Sequence, residues 1–256
     1  MKQEKFKSVW ALTLPFLVLL IWQFAASSNP NPFFPPPLKI VGAFGEVVSI
    51  EWISVSVTSS LIVLFLGYLI GSILGLIIGA LLGEFVKMRI VFLPICNFIR
   101  SIPSVAKVSL ILSILGLGTS SRISAVSVAV LFPVLISTVR AIAATSNELL
   151  ELNKTLKFGR LRGLISIRFP AAIGEILTGL HATVQVAVLS MIVSEMLGSA
   201  VGIGAFIIQS QTTFRIVNMW VGVFIVGLIG VSMNYAFMKI ERKLAPWYFT
   251  SKGLAK

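Results

Sequence analysis

Residues 55–83 read VSVTSSLIVLFLGYLIGSILGLIIGALLG, 29 residues without a charge. At about 1.5 Å per residue such a helix is longer than the ~30 Å hydrocarbon core of a bilayer, so it must tilt or project beyond it. Gly67, Gly71, Gly75, Gly79 and Gly83 recur along it at every fourth position. Small residues at that spacing let helix backbones approach closely, either inside one bundle or at the face of a self-dimer. Both readings describe packed membrane helices rather than isolated anchors.

Further apolar runs fall near residues 9–26, 90–116, 121–143, 171–197 and 216–238, each close to the length that crosses a bilayer. The expected fold is an all-α polytopic bundle of about six transmembrane helices. The 256-residue chain is 57% hydrophobic and 12% charged, whereas a soluble domain carries about 25% charged residues. The basic head and apolar run at the start have the form of a signal peptide as well as of a retained helix. The run is longer than a signal core and more spans follow, which favours a retained helix. Between the first two spans, NPNPFFPPPLKIVGAFGEVVS (29–49) favours an extended polyproline arm and then a short surface helix. Three regions result: 1–52, the first span and its proline-rich outer arm; 53–240, the core; and 241–256, a tail.

Charge fixes the expected orientation. With the N-terminus inside, sixteen Lys and Arg fall in cytoplasmic segments, while Lys39, Arg122 and Arg215 fall outside and Arg100 and Lys107 lie within the third span. That bias places both termini in the cytoplasm. It also explains the net charge of +12 without nucleic acid. Cys96 is the only cysteine, so no intramolecular disulfide or C-x-x-C motif exists and the residue reads as packing. The chain has no G-x-x-x-x-G-K-[ST] phosphate loop, no aspartate and one histidine, His181. No catalytic residue, metal or cofactor site is therefore expected on this chain; His181, within the fifth span, reads as bundle-facing.

The loop 144–170 departs from its surroundings. Six of the twenty residues in ELNKTLKFGRLRGLISIRFP (151–170) are charged. Ser146 or Asn147 is a helix cap, Glu148 stands in the first turn, and Leu149, Leu152 and Leu156 are spaced three and four apart, the pattern of an amphipathic helix. Gly159 and Gly163 permit a turn, and Pro170 stands near the first turn of the fifth span, where proline is tolerated. A charged loop of this length can be a solvated linker, but a short amphipathic helix on the cytoplasmic face of a bundle reads as a docking knob for a soluble partner.

These stretches together resemble the membrane permease subunit of a bacterial ATP-binding-cassette importer, of the nitrate, sulfonate and taurine branch. That family has a loop of the form Glu-Ala-Ala, a glycine six residues after the glutamate, and a Leu-Pro pair with the proline nineteen after it. Glu151 and Pro170 keep this spacing, with Phe169 at the leucine; Leu152 and Asn153 replace the alanines and Lys157 stands at the glycine, with Gly159 two residues later to take over the turn. FFPPPLKIVGAF, IRSIPSVAKVSLILSILGLG, LFPVLISTV, FPAAIGEILTGLHATV and SEMLGSAVGIGAFI are similar to further family segments. The resemblance implies a type I importer permease in the inner membrane, paired with a second permease chain, most simply an identical one. It also implies two cytoplasmic ATPases that hold the ATP and magnesium, and an outer solute-binding protein. The loop helix would sit in a groove on the ATPase.

Arg100, beside Pro103, falls near ~15 Å depth if the third span is one straight helix from Ile90, and Lys107 lies two turns further. Charges at such depth face a cavity, a partner or a pathway. Arg100 either satisfies backbone carbonyls or Glu195, or lines a cationic path for an anion; Lys107 either lines the same path or snorkels to the outer face. Glu195 reads as a gate or structural pair, and Glu175 as a pair with Arg168 or Arg140. A permease for a pyrimidine precursor of thiamine is an alternative within the resemblance. Outside it stands an independent secondary transporter, although six spans without an internal repeat argue against that class.

Overall fold

The computed structural model describes residues 2–251; Lys252 and Lys256 of the expected tail lie outside them. Among the described residues the elements are helical, apart from one isolated bridge between Asn31 and Phe34. Helix α1 spans Lys2–Ser28, α2 Pro37–Val47 and α3 Ile50–Trp52; a π-helical turn over Ile53–Val57 leads into α4, Thr58–Glu84. Then follow α5 (Val86–Ser101), α6 (Ser104–Leu115), α7 (Thr119–Ala143), α8 (Asn147–Thr155) and α9 (Arg160–Gly163). A second π turn over Leu164–Arg168 joins α10 (Phe169–Met196), which precedes α11 (Ile203–Thr212), α12 (Ile216–Leu244) and α13 (Pro246–Ser251).

The glycine run is used inside the chain. Along α4 each of its five glycines faces α7, and a Cβ at Gly75 or Gly79 would lie 2.8 Å from the Leu131 carbonyl or 2.7 Å from that of Leu135. Two backbones thus meet where side chains would hold them apart, the small-residue packing expected between membrane helices. Phe65 and Ile77 of α4 point away and are more than half exposed, as suits a lipid-facing surface. Helix α7 runs through the centre, with Val126, Val130 and Val134 buried against Val63, Leu64, Ala187 and Met191.

Four helical stretches, Ser54–Glu84, Thr119–Ala143, Arg160–Met196 and Ile216–Leu244, are long and apolar enough to cross a membrane, and α5 with α6 forms a bent fifth. The third span is therefore not one straight helix: α5 and α6 meet at 93°. Its cause is local. Proline disfavours the helical conformation for the residue before it, and Ile102 and Pro103 are both extended, with ψ 127° and 136°.

The proline arm is shorter than its prolines suggest. Pro37 already opens α2, where its fixed φ suits a first turn. The arm folds back on the bundle: Trp22 stacks on Phe34 at 5.0 Å, the Leu38 N–H donates to Gln23 Oε1 at 3.0 Å, and Trp220 Nε1 donates to the Phe33 carbonyl at 3.1 Å.

Candidate functional site

The charged loop begins with Ser146 at the cap of α8, extended at ψ 150°, and Glu148 in the first turn. None of α8 is buried. Glu148 and Glu151 are exposed, as are the apolar Leu152 (45%) and Leu156 (48%), while Leu149 is half-buried. The amphipathic stripe thus turns part of its apolar face outward, on a strongly charged segment between two spans.

The turn after α8 corrects the expectation for Gly159. That glycine has an ordinary φ of −63°, and the left-handed residue is Lys157, at φ 51°. A side chain there costs about 1 kcal/mol or more, so the position wants glycine even though lysine occupies it. Gly163 serves close packing instead: it is buried, and a Cβ there would run into the side-chain amide of Asn153 on α8. The chain then passes into α10 through the π turn, where the Phe169 N–H bonds to the Leu164 carbonyl five residues back. Pro170, exposed in the first turn of α10, has no N–H to give, and a local π turn is one way to absorb it.

The loop is fastened to the end of α4. Arg168 Nη1 lies 2.8 Å from Glu84 Oε2, and the Arg160 guanidinium stands 5.9 Å over the Phe85 ring. Arg168 therefore pairs with Glu84, and not with Glu175, which is exposed.

The four residues expected along a pathway form two separate groups. Arg100 is exposed in the last turn of α5, at the 93° corner, so its depth cannot be counted along a straight helix. Asn97 and Ser101 beside it are exposed too. Pro103 makes the corner. Lys107 does not snorkel outward: it is 7% exposed, and its Nζ reaches back to the Ile99 carbonyl at 3.5 Å. A cation at the C-terminal end of a helix is favourably placed against its dipole, so Lys107 braces the corner.

Glu195 is fully buried and draws its partners from α4, α7 and α11. Its Oε2 accepts from Ser60 Oγ at 2.9 Å and from the Gly204 N–H at 2.8 Å, and Ser60 Oγ itself accepts from the Ile203 N–H at 2.9 Å. The basic neighbour is Arg122, 3.9 Å from Oε1, and not Arg100. Arg122 is no loop residue: it is 6% exposed within α7 and donates to the Val201 carbonyl and to Thr119 Oγ1. Gly202, at φ 129°, has the Glu195 carboxyl carbon 2.5 Å from where a Cβ would stand. The parts played by Ser60, Arg122 and Gly202 are not apparent in the sequence; the G-x-G at Gly202 and Gly204 is the one visible sign that backbone approaches something closely there.

His181 faces the bundle as expected. Its Nδ1 lies 2.9 Å from Glu241 Oε2, its Nε2 lies 2.7 Å from Asn234 Oδ1, and its ring stacks on Phe237. Among the described residues no group of His, Cys and Glu has the makings of a metal site.

Known proteins resemble this chain over most of its length. The putative aliphatic sulfonates transport permease protein SsuC of Bacillus subtilis is 27% identical over 94% of this chain and 88% of its own length. The taurine transport system permease protein TauC of Escherichia coli is 25% identical over 92% of this chain and 88% of its own. Among solved structures, a chain of the MetNI methionine ABC transporter superposes with a TM-score of 0.67 at 17% identity, covering 77% of this chain and 99% of that one. The fold is thus that of a type I importer permease. Residues 67–249 match the model of the binding-protein-dependent transport system inner membrane component family, and this multi-pass membrane chain belongs to that family.

Proposed function

We propose that this chain is the pathway-forming permease subunit of an ATP-driven importer for a small organic or inorganic anion, such as a sulfonate, taurine or nitrate. An outer solute-binding protein delivers the cargo, and a separate ATPase, carrying the ATP and magnesium, drives the cycle through the loop 144–170. The observation that carries the reading is the exposure of Leu152 and Leu156 on α8. Apolar side chains on a charged loop are unfavourable in water, and a groove on a soluble subunit would cover them. Glu148, Glu151 and Lys157 would rim that contact, Gly159 would open the return into α9, and Pro170 would pass its movement into α10.

Anionic cargo is supported by Arg100, with Asn97 and Ser101, exposed at a corner in a membrane-spanning pair. Polar groups at such a place do not face lipid, and a second, identical permease chain would enclose them. Pro103 and Lys107 hold the corner, and Glu195 locks the outer turn as one element of a gate. The clustering of Lys and Arg on the loop side supports a cytoplasmic location for that side and for both termini, in a bacterial inner membrane.

The test is purification from the native membrane in mild detergent, followed by mass spectrometry of what accompanies the chain. An ATPase with a phosphate loop is expected, and a captured binding protein is then titrated with taurine, nitrate and an aminopyrimidine. Binding of the aminopyrimidine alone would replace the anion by a pyrimidine cargo. A chain that emerges alone, and transports on an ion gradient, would overturn the importer reading.

A further inference from the structure

At the junction of α4 and α5 lies a cavity of about 520 Å³, lined by Glu84, Phe85, Lys87, Met88, Arg160 and Arg168. It is basic on balance. Arg168 is neutralised by Glu84 at 2.8 Å, which leaves Lys87 and Arg160, both exposed and in no ion pair among the described residues. Arg160 is held over the Phe85 ring at 5.9 Å, so its guanidinium is positioned rather than free in solvent. The other rim is apolar, with Val86 53% and Met88 43% exposed, and Met88 shares one face of α5 with Val91 (61%), Phe92 (47%) and Ile95 (52%), three, four and seven residues on. A pair of cations thus stands where the charged end of a membrane segment passes into its lipid-facing surface.

We infer that this cavity binds the phosphate of an anionic phospholipid headgroup. The phosphate sits between Lys87 and Arg160, and the acyl chains lie along Met88, Val91 and Phe92. Basic pockets between transmembrane helices at the headgroup level have the chemistry for this ligand class, and guanidinium and ammonium groups are its usual partners. A zwitterionic lipid is disfavoured, because its own cation would meet Lys87 and Arg160. Free phosphate lacks the chains that would cover the apolar rim. The bound lipid would bridge the start of α5 to α9, beside the point where Arg168 fastens the loop to the end of α4. The inference rests on the membrane embedding of the chain and not on its cargo or ATPase, so failure of the importer assay leaves it standing.

The test uses the full chain in detergent and native mass spectrometry with phosphatidylglycerol, phosphatidylcholine and inorganic phosphate. Lys87→Met and Arg160→Met remove the charges and keep apolar stems. At roughly fivefold per cation near a membrane surface, the double variant should bind phosphatidylglycerol about 25-fold more weakly, with phosphatidylcholine unchanged. Independently of any variant, a photoreactive phosphatidylglycerol should label residues 84–88 or 160–168 of the unaltered chain. Labelling only elsewhere, or phosphatidylglycerol binding unchanged in a folded double variant, would overturn the site. Displacement of the lipid by inorganic phosphate at comparable affinity would assign the cavity to soluble phosphate instead, and sink the lipid assignment.

Discussion

Arg168 and Glu84, 84 positions apart in the chain, meet at 2.8 Å with side chains 21% and 6% exposed. One stands at the entry to α10 and the other at the end of α4, so the pair ties the charged loop to the helix that packs along α7. Removing one partner of such a pair leaves the other charge stranded, which costs about 3 kcal/mol when the pair is buried and less for the exposure seen here. Arg168→Ala should lower the unfolding temperature of the purified protein, and Glu84→Arg combined with Arg168→Glu should recover part of the loss. Equal stability of Arg168→Ala and the parent would mean that the pair holds nothing.

Lys157 occupies a left-handed position that glycine adopts without strain. Lys157→Gly relieves about 1 kcal/mol of strain against roughly 0.5 kcal/mol of added freedom in the unfolded chain. The net gain is small and positive. Lys157→Val should lose about 1 kcal/mol or more, since a β-branched residue tolerates positive φ least. Thermal unfolding of the three proteins side by side measures the order Gly, Lys, Val.

Coupling is expected to respond to charge and polarity on the same loop. Lys157→Glu and Leu152→Asp alter exposed positions and should leave the bundle folded. Both should uncouple ATP hydrolysis from transport in reconstituted vesicles, and unchanged transport in both variants would remove α8 from the docking role.

The α4–α7 contact discriminates among glycines. Gly75→Ala places a methyl 2.8 Å from the Leu131 carbonyl, an overpacking that costs about 1–3 kcal/mol. Gly42→Ala on α2 meets nothing within 4 Å and should be neutral or slightly stabilising, because alanine is the better helix former by about 1 kcal/mol. Yield and unfolding temperature of the two variants provide the comparison.

Ser60 serves Glu195 and the Ile203 N–H at once, at 2.9 Å each. Ser60→Ala takes away a donor and an acceptor in a buried place, at about 1–3 kcal/mol for each group left unsatisfied. The loss should appear as faster amide exchange in the α10–α11 turn before it appears in global unfolding. Unaltered exchange at Ile203 and Gly204 would show the turn to be held without it.

Much of this chain is legible as sequence because membrane helices obey strong local rules. Length and apolarity locate α4, α7, α10 and α12 to within a few residues, and the four-residue glycine period foretells close helix contact. Local rules fail where a residue's role depends on something far away in the chain. Arg122 sits at the start of an apolar run and reads as an outer-loop cation; only the fold brings Glu195 within 3.9 Å. Lys107 reads as a cation two turns along a straight span from Arg100; only the corner at Pro103 brings the Ile99 carbonyl to its Nζ.

Sequence alone establishes the class of molecule: an all-helical, multi-pass membrane chain with a charged loop between two of its spans. Apolar length and charge position act residue by residue, and a bilayer leaves backbone few alternatives to the helix. Packing in three dimensions supplied the rest. It set the glycine run against α7 rather than a second copy, broke the third span at 93°, and gave Lys157 instead of Gly159 the left-handed turn. It also chose the partners of each buried charge. The Arg122–Glu195 and Arg168–Glu84 pairs join residues 73 and 84 positions apart, and no local periodicity carries that information.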